Sequence, residues 1–160
     1  MKLINKTSQG GSIIVMSLLV AMILMLMPLP DSVRLVRPEW VVLVLIYWTM
    51  AAPQRVGVGY AWLVGLVMDL LMGGPLGVLA FSYALICYIV MLTHLQIRQY
   101  PIWQQAMSVF SLILLMQMIF LLLTPLSLDL SFGLPALSST LLWPVTYAVL
   151  RSLRRTFHVS

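Results

Sequence analysis

Charged positions along the chain are so sparse that the gaps between them outline its organisation. After Lys2 and Lys6 the stretch from Thr7 to Pro30 is uncharged, and a polar patch follows from Asp31 to Glu39. Trp40 to Gln54 is again uncharged and ends at Arg55, and Val56 to Met68 runs apolar up to Asp69. Leu70 to Thr93, Gln99 to Leu128 and Leu130 to Leu150 complete the series before a basic tail. A helix that crosses a bilayer needs about 20 residues. The pattern predicts six helices, at 12–30, 38–52, 57–72, 76–93, 102–124 and 134–150, joined by short turns that favour antiparallel packing of sequence neighbours. Pro38 suits a first helical position, and Glu39 beside it meets the positive end of the helix dipole. The run 38–52 covers only about 22 Å, less than the hydrocarbon thickness of about 30 Å. Thinned bilayer, cover from neighbouring helices or a re-entrant path would each accommodate it. Pro144 is expected to kink the last helix.

Composition sharpens this picture. Hydrophobic residues make up 62% of the 160 and charged ones 8%, against about 25% charged in soluble domains. Such a chain has too few charges to cover a water-facing surface. A soluble enzyme, a disordered tail and a disulfide-stapled secreted domain are excluded, and one integral membrane domain over 1–160 is expected. The first apolar run is long and Pro28-Leu29-Pro30 offers no small-x-small site, so it reads as an uncleaved helix. The single cysteine, Cys87, permits no intrachain disulfide and reads as a small packing residue.

The net charge of +5 is explained by orientation, not by nucleic acid. With the N-terminus in the cytoplasm and six crossings, Lys2, Lys6, Arg55, Arg98, Arg151, Arg154 and Arg155 lie inside and only Arg34 and Arg37 outside, as the positive-inside rule asks. Both termini are then cytoplasmic. Trp40 would sit at the outer interface, and Tyr47, Trp48 and Trp103 towards the inner one. The tail Arg151-Ser152-Leu153-Arg154-Arg155 would attract anionic membrane lipid, at about 1 kcal/mol per charge.

Asp69 is the one acid placed inside a helix, where an Asp costs up to about 2.5–3.5 kcal/mol at the centre. Gly57, Ala61, Gly65 and Asp69 recur every four residues. That spacing makes a small-residue face on which another helix approaches closely. Two roles stay open for Asp69. It is a polar contact locking a helix pair or lining a small cavity, or it caps the free amides at the start of the next helix, around Leu76 to Val78. Gly73-Gly74-Pro75-Leu76-Gly77 lacks the Lys-Ser/Thr of a phosphate loop and reads as a tight turn.

No catalytic set assembles. His94, in an expected loop, and His158, in the tail, are far apart. HExxH, Cys/His clusters and Gly-x-Ser-x-Gly are absent from the sequence, so no metal and no cofactor is expected. Aspartyl chemistry would require Asp69 to meet Asp129 from another turn. Gln117, and the face of Gln104, Ser108 and Ser111, suit hydrogen bonding to neighbouring helices.

A resemblance adds to this. Met27-Pro28-Leu29-Pro30-Asp31, Arg37-Pro38-Glu39-Trp40 running into Tyr47-Trp48, Pro53-Gln54-Arg55-Val56-Gly57-Val58-Gly59, and Gly65-Leu66-Val67-Met68-Asp69-Leu70 with Gly77 together resemble the rod shape-determining MreD family. Ile102-Trp103-Gln104-Gln105-Ala106 and Leu142-Trp143-Pro144 resemble its later segments. The resemblance implies an inner-membrane protein of the bacterial wall-elongation machinery with no enzymatic activity. It implies association with the coiled-coil protein MreC and, through it, with the actin-like MreB, the RodA glycosyltransferase and the elongation-specific penicillin-binding transpeptidase. It also implies a bundle similar to the substrate-binding subunits of energy-coupling-factor transporters. The expectation is an all-α, six-helix transmembrane bundle that holds a partner helix, with Gly57, Ala61, Gly65 and Asp69 in the packing face and Arg37 and Trp40 at its outer rim. The rivals are a small-molecule-binding transporter subunit, which would need a polar cavity, and a small intramembrane hydrolase, which would need a second acid near Asp69.

Overall fold

The computed structural model describes residues 2–124 and 133–157, with side chains from Gly10 onward. All regular structure among them is helical: α1 (Lys2–Leu26), α2 (Asp31–Arg34), α3 (Trp40–Ala51), α4 (Val58–Met72), α5 (Val78–Gln99), α6 (Ile102–Leu123) and α7 (Leu134–Thr156). Six of these overlap the expected segments, and α2 is an addition. Its one turn follows Pro30, whose extended backbone places it just before the first helical residue.

Three boundaries differ for physical reasons. The first helix stops at Leu26, because the residue before Pro28 is pushed out of the helical region. The helix expected to end at 93 continues to Gln99, so His94 is helical, with Nδ1 2.6 Å from the Met91 carbonyl. Ile97 stays buried on that face, and Pro101 holds Tyr100 extended and ends the run. α7 passes through Pro144 and extends to Thr156, so the basic tail is helical.

α3 sits at the centre. Every residue from Val41 to Met50 is buried, and the helix packs against α5, α1 and α7. Sequence neighbours do pair for α4–α5, α5–α6 and α6–α7, but α3 packs chiefly on α5 rather than on α4. A helix that is apolar all round gains most by enclosure on every side. Its 12 residues span about 18 Å, and α1, α5 and α7 cover it. Trp48 is therefore a core residue, and Tyr47 is buried at the end of the bundle. The Trp48 indole N–H donates to Ser17 Oγ at 2.9 Å, tying α3 to α1. Tyr47 packs edge-on against Tyr147 of α7 with centroids 5.5 Å apart.

The outer surface is apolar: Met16, Ile23, Leu63, Leu70, Leu92, Leu122 and Leu141 are all exposed. α5 and α6, with 22 residues each, are long and apolar enough to cross a membrane.

Trp48→Ala is expected to destabilise the bundle by about 3–5 kcal/mol, the range for emptying a packed aromatic site. Trp48→Phe, which loses the bond to Ser17, should cost about 1 kcal/mol. Unfolding of the purified protein by titrated denaturing detergent measures both.

Candidate helix-packing site and lateral cleft

The small-residue face of α4 is turned towards α5. Ala61 and Gly65 are buried there. A Cβ added at position 65 would lie 2.5 Å from Ala80 Cα, 2.7 Å from Ala80 N and 2.7 Å from the Leu79 carbonyl oxygen. Those are backbone atoms of α5, so the two helices meet main chain to main chain and only glycine fits. Gly57 does not join this contact. It precedes α4 in an extended conformation, and a Cβ there would meet nothing within 4 Å.

One turn beyond Gly65, Asp69 is 1% exposed. Its Oδ2 accepts from the Gly77 and Ala80 backbone N–H groups at 2.8 and 3.2 Å, and its Oδ1 from Leu79 N–H at 3.1 Å. The first amides of a helix have no partner inside it and carry the positive end of its dipole. A carboxylate placed on them makes charge-assisted bonds that offset the loss of water. Of the two roles open for Asp69, the geometry is that of the cap. The same residue closes the preceding helix: Gly73, at φ 67°, donates its N–H to the Asp69 carbonyl at 3.1 Å. Gly77, at φ 94°, then turns the chain into α5. Positive φ is cheap only for glycine, so the Gly-rich segment is a tight turn.

Arg37 acts at a different helix end. Its Nη2 donates to the Leu24 and Met27 carbonyls at 3.0 and 3.2 Å, satisfying acceptors at the end of α1. Two residues on, the Glu39 N–H donates to Ser139 Oγ of α7 at 2.9 Å. Trp40 begins α3 and lines an apolar cleft.

That cleft lies between α1 and α7, with α3 as its floor, and has a volume of about 600 Å³. On α1 the lining residues are Ile13, Met16, Ser17, Val20, Ala21 and Leu24; on α7 they are Val145, Thr146, Val149, Leu150, Leu153 and Phe157. Both sets repeat at three- and four-residue steps, so each wall is one continuous helix face. Sequence reasoning missed this feature. Its only signal was apolar periodicity on two helices distant in sequence, which every buried or lipid-facing helix shows.

The polar positions of α6 mostly bond at home. Ser108 and Ser111 donate to the Gln104 and Met107 carbonyls of their own helix, both at 3.1 Å, and do not bridge helices. Among the described residues no three His, Cys, Asp or Glu side chains come together. Asp129 and His158 lie outside the described residues, so the Asp69–Asp129 pairing does too.

Comparison with known proteins decides the family. A family model described as rod shape-determining protein MreD matches residues 6–153. The chain belongs to the MreD family. A curated relative, the rod shape-determining protein MreD of Haemophilus influenzae, is 34% identical over 141 residues, covering 85% of this chain and 86% of the relative. No solved structure matches the chain, so the likeness to energy-coupling-factor subunits rests on the sequence resemblance alone. The MreD match spans α1 to most of α7, and therefore includes the Gly65–Asp69 contact and both walls of the cleft.

Gly65→Ala should already reduce the amount of folded protein several-fold, because the added methyl meets backbone, and Ala80→Gly should not rescue it. Asp69→Leu leaves three amides at the start of α5, those of Gly77, Leu79 and Ala80, unpaired at about 1–3 kcal/mol for each buried group, and Asp69→Asn, which keeps one acceptor oxygen, should be milder. Yield of monodisperse protein from the membrane fraction ranks the four variants.

Proposed function

We propose that this MreD-family chain is a non-enzymatic, multi-pass scaffold of the bacterial inner membrane that helps maintain rod shape by holding the transmembrane helix of an MreC-like partner. Through that partner it organises peptidoglycan synthesis by the MreB, RodA and transpeptidase machinery. The observation that carries the reading is the cleft between α1 and α7. Its α7 wall runs from Val145 to Phe157, about 18 Å of helix, long and straight-walled enough for a rod-shaped occupant. Helices in a bilayer gain little from the hydrophobic effect against one another and associate by close packing. Ser12, Ser17 and Ala21 on the α1 wall are the small residues such an approach needs. The Gly65 face, where a partner was first expected, is filled by α5, so the partner helix belongs in the cleft instead. The positive-inside asymmetry supports both termini in the cytoplasm.

Val20 lies on the α1 wall and Val149 on the α7 wall, both 54% exposed. Val20→Trp combined with Val149→Trp should reduce recovery of the MreC-like partner in mild detergent about tenfold or more. Leu122→Trp, at a 79% exposed position of α6 away from the cleft, should leave recovery unchanged. Full recovery with the cleft filled would overturn the docking site. A periplasm-only reporter that works when fused after Ser160 would overturn the topology.

A further inference from the structure

At the end of the bundle where α3, α5 and α7 finish and α6 begins, a half-open polar cavity of about 810 Å³ collects Arg98, Arg151, Arg154, Arg155, Tyr47 and Tyr147. Cations at helix C-termini complement the dipole, which explains an arginine at each end but not why four converge on one hollow. Among the described residues no carboxylate lines that hollow. Of the acids among the described residues, Asp69 caps the start of α5, Glu39 sits before α3 with its carboxyl buried and Asp31 starts α2.

Two of the arginines rest on tyrosines. Arg151 lies over the Tyr147 ring at 6.0 Å from its centroid, and Arg154 interacts with the Tyr47 hydroxyl. On the α6 wall, Gln105 is 3% exposed and donates through Nε2 to the Tyr100 carbonyl at 3.1 Å. That bond fixes the amide's orientation and leaves its buried Oε1 with no hydrogen-bond partner. A buried acceptor without a donor has lost its water with nothing in exchange. A ligand that satisfies both features carries an anionic oxygen cluster for the guanidiniums and a hydroxyl for Gln105. Tyr100, Ile102 and Trp103 are exposed around this end, and aromatic residues of that kind favour the headgroup level of a bilayer.

We propose that this cavity binds the glycerol-phosphate headgroup of an anionic phospholipid, with the arginines on the phosphate and Gln105 Oε1 accepting from a glycerol hydroxyl. The site is independent of the cleft. Its occupant comes from the surrounding lipid rather than from solution.

Native mass spectrometry of the full chain, exchanged into detergent with phosphatidylglycerol or phosphatidylcholine, tests this. Phosphatidylglycerol should be retained in preference to phosphatidylcholine. Arg98→Gln with Arg151→Gln should weaken its retention about 30-fold, at about a factor of five per charge, while Arg34→Gln on α2 should not. Gln105→Leu should narrow the preference for phosphatidylglycerol over phosphatidic acid, which lacks the glycerol hydroxyls. If the double variant aggregates, Arg98→Gln alone, at an exposed position, should still show about a fivefold loss. Equal retention of both lipids, or full retention by the folded arginine variants, overturns the site. Displacement of the lipid by inorganic phosphate alone would make it a soluble-anion site, as in the transporter-subunit reading, and overturn the lipid assignment. Loss of partner recovery with lipid retention intact would leave this inference standing.

Discussion

The approach of α4 to α5 at Gly65 is the constraint on which the rest of the bundle depends. Position 65 has backbone where a side chain would be, and that proximity brings Asp69, one turn on, within 2.8–3.2 Å of three amides at the start of α5. Neither half suffices alone. Without the close approach the carboxylate would face an apolar surround at high cost. Without the carboxylate, the start of α5 would leave unpaired donors in a place that water does not reach. α5 in turn packs on α3 and α6, so the pair that fixes α5 also fixes the central helix and, through it, the α1 and α7 walls of the cleft.

Much of this was legible in the residues because its signals are local. The four-residue recurrence of Ala61, Gly65 and Asp69 marks a helix face, and an acid near a glycine-rich turn has few places to go except the next helix start. Gly57 shares the recurrence but falls before the helix begins, where periodicity no longer places a residue on a face. Trp48 misled for a related reason. Aromatic residues near a helix end suit an interface, yet on a helix as short as α3 the end is still inside the bundle. What stayed illegible was the joining of distant elements. The Glu39–Ser139 bond spans 100 residues, and neither apolar spacing nor charge pairs α1 with α7.

Charge follows the helix ends. Glu39 and Asp69 lie at the starts of α3 and α5, and Arg98, Arg151, Arg154 and Arg155 at the finishes of α5 and α7. The positive-inside rule and the dipole rule ask for the same placement when α3, α5 and α7 finish on the cytoplasmic side. An arginine at such an end therefore meets two demands with one side chain. The cavity adds a third element, because the finishing helices lean on a common α6 wall and bring their arginines together rather than spreading them round the rim.

α7 carries the consequences of both surfaces. Its Val145, Val149, Leu153 and Phe157 line the apolar cleft, while Tyr147, Arg151, Arg154 and Arg155 line the basic cavity. The two sets are offset along one helix about 10 Å across, so they move as a unit. Packed helices shift between discrete arrangements rather than deforming smoothly. The cleft wall and the arginine cluster are two faces of this one helix. A helix apolar on one face and basic on the other is the means by which a bundle with so few charges sets an apolar cleft and a basic cavity side by side.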